Sequence, residues 1–298
     1  MKPEARVSAP RGWSPALPLW FSLTPGLAIL AAFSLLPLVL VGVFTFWRSS
    51  LAGLEPAFTL DNYRRFLESP VYVRLLLKSL RTAVTVTSLS LLMSYPMAYF
   101  LARILQRGRV IGIILLMLPF WTSYLVRTFG WLPILGRRGL LNQLLLGLGA
   151  IHQPLDVFLY NEFSVHLGLL YVYLPFMTIP IFLSLDRLDQ TLLDAAADLG
   201  AGPMTTFWRV TVPLTLPGIL GGCLMVFLLA FGAYVTPALL GGPSGILFGN
   251  LVAYQFGPTN NWAFGATLAF IMLAVVVAVL LLSSRWVGLR GIFLREGS

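Results

Sequence analysis

The chain is poor in charged residues and in cysteine. Of its 298 residues, 10% are charged and 58% are hydrophobic, whereas soluble domains carry about 25% charged residues. Its one cysteine, Cys223, excludes a disulfide framework within the chain. The two histidines, His152 and His166, are isolated and lack metal-ligand spacing, so we expect no metal site. These shortages exclude an ordinary soluble domain and favour a protein of the lipid bilayer.

The motifs of nucleotide binding and nucleophilic catalysis are missing as well. The only two lysines, Lys2 and Lys78, do not follow glycine, so the chain has no P-loop and cannot bind ATP in that way by itself. It also has no Gly-x-Ser-x-Gly nucleophile elbow. The net charge of +9 is scattered among loops, which favours membrane topology over nucleic-acid binding. We therefore expect no catalytic residue and no cofactor in this chain, and no nucleic-acid partner.

Six apolar segments are each long enough to cross about 30 Å of hydrocarbon as a helix of about 20 residues. They are residues 18–46, 79–102, 110–128, 163–185, 216–240 and 263–284. The first is longer than the apolar part of a signal peptide, about 7–15 residues, so we interpret it as a retained helix. The predicted fold is an all-α integral membrane protein with six transmembrane helices. The predicted divisions are an N-terminal tail over 1–17, the first helix over 18–46, an external loop over 47–78, a transmembrane core over 79–285 and a C-terminal tail over 286–298.

The distribution of arginine predicts the orientation. Arg103, Arg107 and Arg109 crowd the short link between the second and third segments, whereas residues 241–262 carry no charge. The first of these links is expected in the cytoplasm and the second outside, which places both termini inside. The whole-chain count is less decisive, because further basic residues fall on the external side: Arg48, Arg64, Arg65, Arg74, Lys78, Arg81, Arg127, Arg137 and Arg138.

A polar segment, residues 186–217, separates the fourth and fifth apolar segments and is predicted to form a cytoplasmic helical hairpin. Asp186 is expected to cap a helix over about 187–199, and Gly200 is expected to end it in the left-handed conformation. Within that helix an apolar stripe recurs at helical spacing. Its members are Leu188, Leu192, Ala195 and Leu199.

The second half of this hairpin is predicted to be a short helix. Pro203 suits its first turn, and we expect it to end before Pro213, because a residue that precedes proline avoids helical geometry. In the first helix, Asp194 and Asp198 lie one turn apart near the carboxyl end, where the dipole and their mutual repulsion oppose them. Two interpretations remain open: a cationic surface outside this helix, or a solvated acidic face.

The hairpin also carries an extended motif. It consists of Asp194-Ala195-Ala196, three residues, Gly200, nine residues, then Val210-x-Val212-Pro213. This pattern resembles the signature of bacterial ABC importer permeases, which is Glu-Ala-Ala, three residues, Gly, nine residues, then Ile-x-Leu-Pro. The spacing agrees throughout, with conservative replacements at positions 194, 210 and 212. The resemblance implies the type I ABC importer permease fold, in which this segment is the coupling helix that docks on a cytoplasmic ATPase. The implied coupling residues are Asp194, Ala195, Ala196, Asp198 and Gly200.

The same resemblance implies partners and a location. ATP and magnesium would bind to two separate ATPase subunits. A second, related permease subunit and a periplasmic or extracellular solute-binding protein would complete the transporter, which would contact membrane lipid as a multi-pass protein of the bacterial inner membrane.

Several stretches narrow the resemblance to the spermidine/putrescine branch of these permeases. They are Leu174–Met177, Ile179-Pro180, Val126–Thr128, Asn250-Leu251 and Val235–Pro243. A polyamine-like solute is therefore the expected cargo. Related permeases for opines, phosphonates and iron share much of this sequence, and those solutes remain alternatives.

A path for a polyamine, which is a cation, would favour carboxylates or aromatic faces. However, all 11 acidic residues lie in predicted loops or tails. Aromatic rings would then stabilise a cation along the path, although such rings also pack or lie at the membrane interface. The candidates are Trp121, Tyr124, Tyr171, Tyr173 and Tyr234. From other classes, an ion-coupled secondary carrier would require intramembrane ionisable residues or matched broken helices, which are not evident. A membrane-embedded enzyme lacks a recognisable site.

Overall fold

The computed structural model describes the backbone of residues 19–50, 53–105 and 107–293, and the side chains of all of these except residues 19–23 and 285–293. The predicted N-terminal tail, 1–17, and the end of the predicted C-terminal tail, 294–298, lie outside the described residues. In the described part, five helices are long and apolar enough to cross a membrane, or six if one bent pair counts as a single span. The predicted all-α membrane fold is confirmed.

The elements follow one another as α1 Leu19–Phe44, β1 Arg48–Ser50, β2 Gly53–Glu55, α2 Asp61–Glu68, α3 Pro70–Tyr99, α4 Arg109–Met117, α5 Tyr124–Phe129, α6 Leu132–Leu135, α7 Leu140–Gly147, α8 Glu162–Asp186, α9 Gln190–Asp198, α10 Pro203–Thr206, α11 Val212–Phe231, α12 Val235–Leu240, α13 Phe248–Phe256 and α14 Trp262–Phe293. π-helical turns follow α3 at Phe100–Ile104 and α10 at Phe207–Thr211. The strands form an antiparallel hairpin in which Arg48 pairs with Glu55.

Three helices, α3, α8 and α11, pack against one another and form the core. Their contact surface is made of small and branched side chains, with Ala83, Val86 and Val226 fully buried. Glycine allows α11 to approach α8 closely, because a Cβ at Gly218 would collide with the carbonyl of Pro180. Gly218 and Gly222 therefore serve contact within the chain, which is the use that small residues at four-residue spacing have in membrane helices.

The second predicted span begins earlier than the sequence indicated. The predicted external loop covers residues 47–78, but α3 starts at Pro70 and includes Arg74 and Lys78. The charges that lowered the local hydropathy are partly paired, because Lys78 and Arg81 both contact the carboxylate of Glu162 at the start of α8, at 3.2 and 2.7 Å. Ion pairing lets the helix extend beyond its apolar part.

Two further predicted spans are not single straight helices. Segment 110–128 bends by 95° at the break between Trp121 and Tyr124, after a 3₁₀ turn that contains Pro119. Segment 216–240 divides at residues 232–234, which separate α11 from α12. In contrast, Pro175 and Pro180 stay inside an unbroken α8.

Candidate functional site: the coupling hairpin and an aromatic cleft

The first helix of the predicted coupling hairpin, residues 186–217, starts later than predicted, at Gln190. The N-cap of α9 is Asp189, whose carboxylate accepts a hydrogen bond from the Thr191 backbone N–H at 3.0 Å. Asp186 instead ends α8, where its carboxylate pairs with Arg109 at 2.5 Å. The prediction that Asp186 caps this helix was therefore wrong, because a distant arginine engages that carboxylate. Donation from the Thr191 N–H, and then from its hydroxyl, lowers the pKa of Asp189.

Gly200 ends α9 as the sequence indicated. Its φ is +80°, a left-handed conformation that residues with a Cβ rarely adopt. The Gly200 N–H donates to the Ala197 carbonyl at 2.9 Å, and the Ala201 N–H donates to the Ala196 carbonyl at 3.0 Å. These two bonds form a Schellman motif, which satisfies carbonyls at the helix end and reverses the chain. The coupling motif thus ends in a defined turn.

The second half of the hairpin continues without a break into α11. Pro203 opens α10 as predicted, but the helix does not end before Pro213. The turn before that proline widens into a π-helical turn, in which the Val212 N–H donates to the Phe207 carbonyl. A widened turn accommodates the proline, which lacks an N–H donor. As a result α10 and α11 form one continuous helical path from hairpin to membrane core.

The outer surface of the hairpin has an apolar part that is exposed among the described residues. Of the predicted stripe, Leu188 is buried, whereas Leu192 is exposed and Leu199 is 89% exposed. Met204 and Trp208 add further exposed apolar area. Exposed apolar patches flanked by polar residues are typical of protein–protein contact sites.

The acidic residues of the motif lie on this same projection. Asp194 and Asp198 are exposed, and Ala196 is partly exposed between them. The Gln190 side-chain amide donates to the Asp194 carboxylate at 3.3 Å. This bond leaves the other acceptor positions of the carboxylate available to a partner.

The five aromatic residues proposed for the solute path do not form one lining. Tyr173 is buried in the helix core, and Tyr171 packs edge-on against Trp131 with ring centroids 5.5 Å apart. Trp121 is 82% exposed at the bend that precedes α5. The hydroxyls of Tyr124 and Thr236 form a hydrogen bond of 2.7 Å, which joins α5 to α12.

Tyr234 lines an open cleft of about 690 Å³ at the end of the bundle opposite the hairpin. This end is fixed by α12, whose Leu240 carbonyl accepts a hydrogen bond from Ser164 in the first turn of α8. Other residues that line the cleft are Leu75, Pro237, Ile246, Asn250 and Tyr254. The resemblance to the family indicated Asn250 and Pro237 but not Tyr254, because the cleft joins residues far apart in the chain.

The sequence showed Arg127 as one of the external basic residues, but not its aromatic surroundings. The guanidinium of Arg127, on α5, lies 4.7 Å from the ring centre of Phe120 and 5.9 Å from that of Tyr124. Its Nε and one Nη atom are buried without a hydrogen-bond partner among the described residues. Among those residues, no group of three or more His, Cys, Asp or Glu could hold a metal ion.

The chain resembles known transport proteins over most of its length. It is 41% identical over 254 residues to the spermidine/putrescine transport system permease protein PotB of Escherichia coli (strain K12), which covers 85% of this chain and 91% of that protein. It is 36% identical over 262 residues to the inner membrane ABC transporter permease protein YdcU of the same organism. This match covers 84% of this chain and 82% of that protein. No family model matches the chain.

Solved structures share the fold. A chain of a bacterial ABC transporter involved in the import of the acidic polysaccharide alginate superposes with a TM-score of 0.68 at 16% identity, covering 90% of this chain and 94% of that one. A chain of the inward-facing MetNI methionine ABC transporter superposes with a TM-score of 0.52 at 16% identity. The match covers 74% of this chain and 97% of that one.

These likenesses define the class first: the fold is that of ABC importer permeases, and the chain is a multi-pass inner-membrane transport subunit. More narrowly, it belongs to the family of ABC transporter permeases that includes the spermidine/putrescine transport permease PotB.

Proposed function

We propose that this chain forms, together with a second, related permease, the membrane path of an ATP-driven importer for a polyamine-like solute. The observation that carries the proposal is the coupling hairpin, which projects an Ala-Ala motif between two exposed acids from a continuous helical connection to the core. The extensive identity with PotB supports the solute class.

Two ATPase subunits, which hold ATP and magnesium, would supply the energy. One of them would contact Asp194, Ala195, Ala196, Asp198 and Gly200 on the hairpin of this chain. Small alanine side chains allow close approach, the exposed apolar surface contributes burial, and the two carboxylates favour a basic rim on the partner. This assignment places the hairpin and both termini in the cytoplasm.

The cleft at the opposite end is the proposed entrance for the solute. An external binding protein would deliver the solute there, where Tyr234 and Tyr254 are exposed. Their ring faces stabilise an ammonium group by cation–π contact, and the apolar wall between them suits the methylene chain of a polyamine. The residues that line this cleft include no carboxylate, so we assign most of the selectivity to the binding protein.

Uptake by the reconstituted transporter tests this function. Asp194→Lys is expected to abolish ATP-dependent uptake of labelled spermidine and putrescine while membrane insertion persists, because a cation replaces the acid that faces the ATPase. The matched control is Asp194→Glu, which preserves the charge and restores the glutamate of the family motif. Full uptake by the Asp194→Lys variant would refute ATPase coupling through this hairpin.

An anionic solute is the second candidate, and one observation favours it. Arg127, which has no acidic partner among the described residues, brings a cation close to Tyr124. A relative 31% identical over 221 residues is a putative 2-aminoethylphosphonate transport system permease protein, PhnU, of Salmonella typhimurium. Competition of labelled spermidine uptake by opines, phosphonates and iron chelates separates these solutes. Uptake that persists without any ATPase would indicate an ion-coupled carrier.

A further inference from the structure

The link between α3 and α4 contacts the base of the coupling hairpin. Arg103, in the π-helical turn after α3, donates from one Nη to the Leu188 carbonyl at 2.7 Å and from the other to the Gln190 side-chain oxygen at 3.2 Å. Leu188 and Gln190 flank the N-cap of α9. One guanidinium therefore joins the end of α3 to the start of the coupling helix, 85 residues further along the chain.

Arg109, the first residue of α4, makes a second connection at the same base. One Nη donates to the Asp186 carboxylate at 2.5 Å and the other to the Ala102 carbonyl at 2.7 Å. Its guanidinium carbon also lies 5.8 Å from the ring centre of Phe182 on α8. Arg109 thus holds together α4, the end of α3 and the last residue of α8.

Both guanidinium groups are partly enclosed by the chain, because the Nε atoms of Arg103 and Arg109 are buried. Hydrogen bonds from a charged donor are about twice as strong as neutral ones, and a planar fork fixes two acceptors at once. Covalently, the hairpin is continuous only with α8 and α11. Among the described contacts, one other polar connection joins α3 to the hairpin, the hydrogen bond of 3.1 Å between the hydroxyls of Tyr95 and Thr215. The two arginines add the polar connections at the base of α9.

We propose that Arg103 and Arg109 form a clamp that transmits displacement of the coupling helix to α3 and α4. They are positioning residues, and this role rests on the proposed ATPase coupling. The route continues by observed contacts: α4 leads through the 95° bend into α5, whose Tyr124 is hydrogen-bonded to Thr236 on α12. Thr236 is followed by Pro237, which lines the cleft. The clamp links nucleotide-driven movement to the opening of that cleft.

The loop itself supplies a matched control. Arg107 lies between the two arginines, is exposed and forms no hydrogen bond or ion pair with any described residue. Arg107→Gln removes the same charge from the same loop and leaves the clamp intact. Arg103→Gln and Arg109→Gln remove the clamp contacts. The pair Arg109→Asp with Asp186→Arg reverses one ion pair and retains it.

The experiment compares these variants in the complete transporter with its ATPases and binding protein. Three quantities are measured: recovery of the assembled complex, ATP hydrolysis stimulated by the loaded binding protein, and labelled spermidine uptake per ATP hydrolysed. For Arg103→Gln and Arg109→Gln we expect normal assembly and stimulated hydrolysis, with uptake per ATP reduced about tenfold. Arg103→Lys is expected to restore part of the coupling, because an ammonium lacks the planar fork. The double reversal is expected to restore more than Arg109→Asp alone.

Uptake per ATP within about twofold of the Arg107→Gln variant, in both clamp variants, would overturn the clamp; failure of those variants to assemble would overturn it too, by showing a structural role. If wild-type protein and the Arg107→Gln variant show neither ATP-dependent uptake nor stimulated hydrolysis, the proposed function fails, and the clamp fails with it. The two failures are therefore distinguishable.

Discussion

Replacement of Gly200 by valine should deform the coupling hairpin through backbone conformation alone. The φ of Gly200 is +80°, and a Cβ built there would meet nothing within 4 Å. Steric crowding by neighbours is therefore absent, and the cost is that of a β-branched residue in the left-handed region, about 1–2 kcal/mol. This cost shifts the equilibrium between native and rearranged hairpins by a factor of about 5–30. Under the proposed function only the native hairpin docks on the ATPase, so the apparent affinity for the ATPase should fall by up to that factor.

A neighbouring glycine provides the control for this prediction. Gly202 has a φ of −68° and a ψ of 163°, which valine adopts without strain, and its Cβ would also be free of neighbours. We expect ATPase affinity and uptake to fall in the order wild type, Gly200→Asn, Gly200→Ala and Gly200→Val, since asparagine tolerates the left-handed region best. Gly202→Val should resemble wild type. Equal affinities for Gly200→Val and Gly202→Val in a titration of ATPase against permease would refute the reasoning.

Three further predictions concern packing, the helix junction at the cleft, and pH. Gly218→Ala should lower stability to SDS unfolding by about 1–3 kcal/mol through overpacking against α8, whereas Gly221→Ala, whose Cβ would meet nothing within 4 Å, should not. Tyr124→Phe and Thr236→Val should each lower the free energy of unfolding by about 1 kcal/mol. The double variant should lose less than the sum of the two, because each substitution removes the same hydrogen bond. The pKa of Asp189 is lowered in the folded hairpin. The stabilisation that its carboxylate gives as N-cap is therefore fully present above pH 3.8, the ordinary pKa, and is lost as the pH falls through the lowered pKa. Hydrogen exchange, corrected for intrinsic rates, should show α9 opening only at such acid pH, and Asp189→Asn should abolish this dependence.

The features that local sequence decides could be predicted. Long apolar runs specify membrane helices because lipid offers no partner to backbone polar groups. The spacing from Asp194 to Pro213 indicated the hairpin, and glycine at position 200 indicated its left-handed turn. Each of these depends on residues within one segment.

The features that depend on distant contacts could not be predicted. Asp186 and Asp189 are equally good caps by composition, and only the ion pair of Asp186 with Arg109 separates them. The early start of α3 depends on Glu162, which pairs with two of its cations. The cleft joins Leu75 to Tyr254 from opposite parts of the chain. Hydropathy and spacing carry no information on such pairings.

The packing of α8 against α11 decides how far a movement of the hairpin can spread. The backbones of these two helices approach at Gly218 and Gly222, where an added Cβ would collide with α8, including the sulfur of Met177 at 2.8 Å. Closely packed helices transmit displacement because their side chains have no free volume in which to absorb it. In contrast, the helical path is interrupted between Trp121 and Tyr124, just before α5, and again at residues 232–234, just before α12. We therefore expect α8 and α11 to move with the hairpin as one body, and rearrangement to concentrate at these two breaks, the second of which borders the cleft at Tyr234.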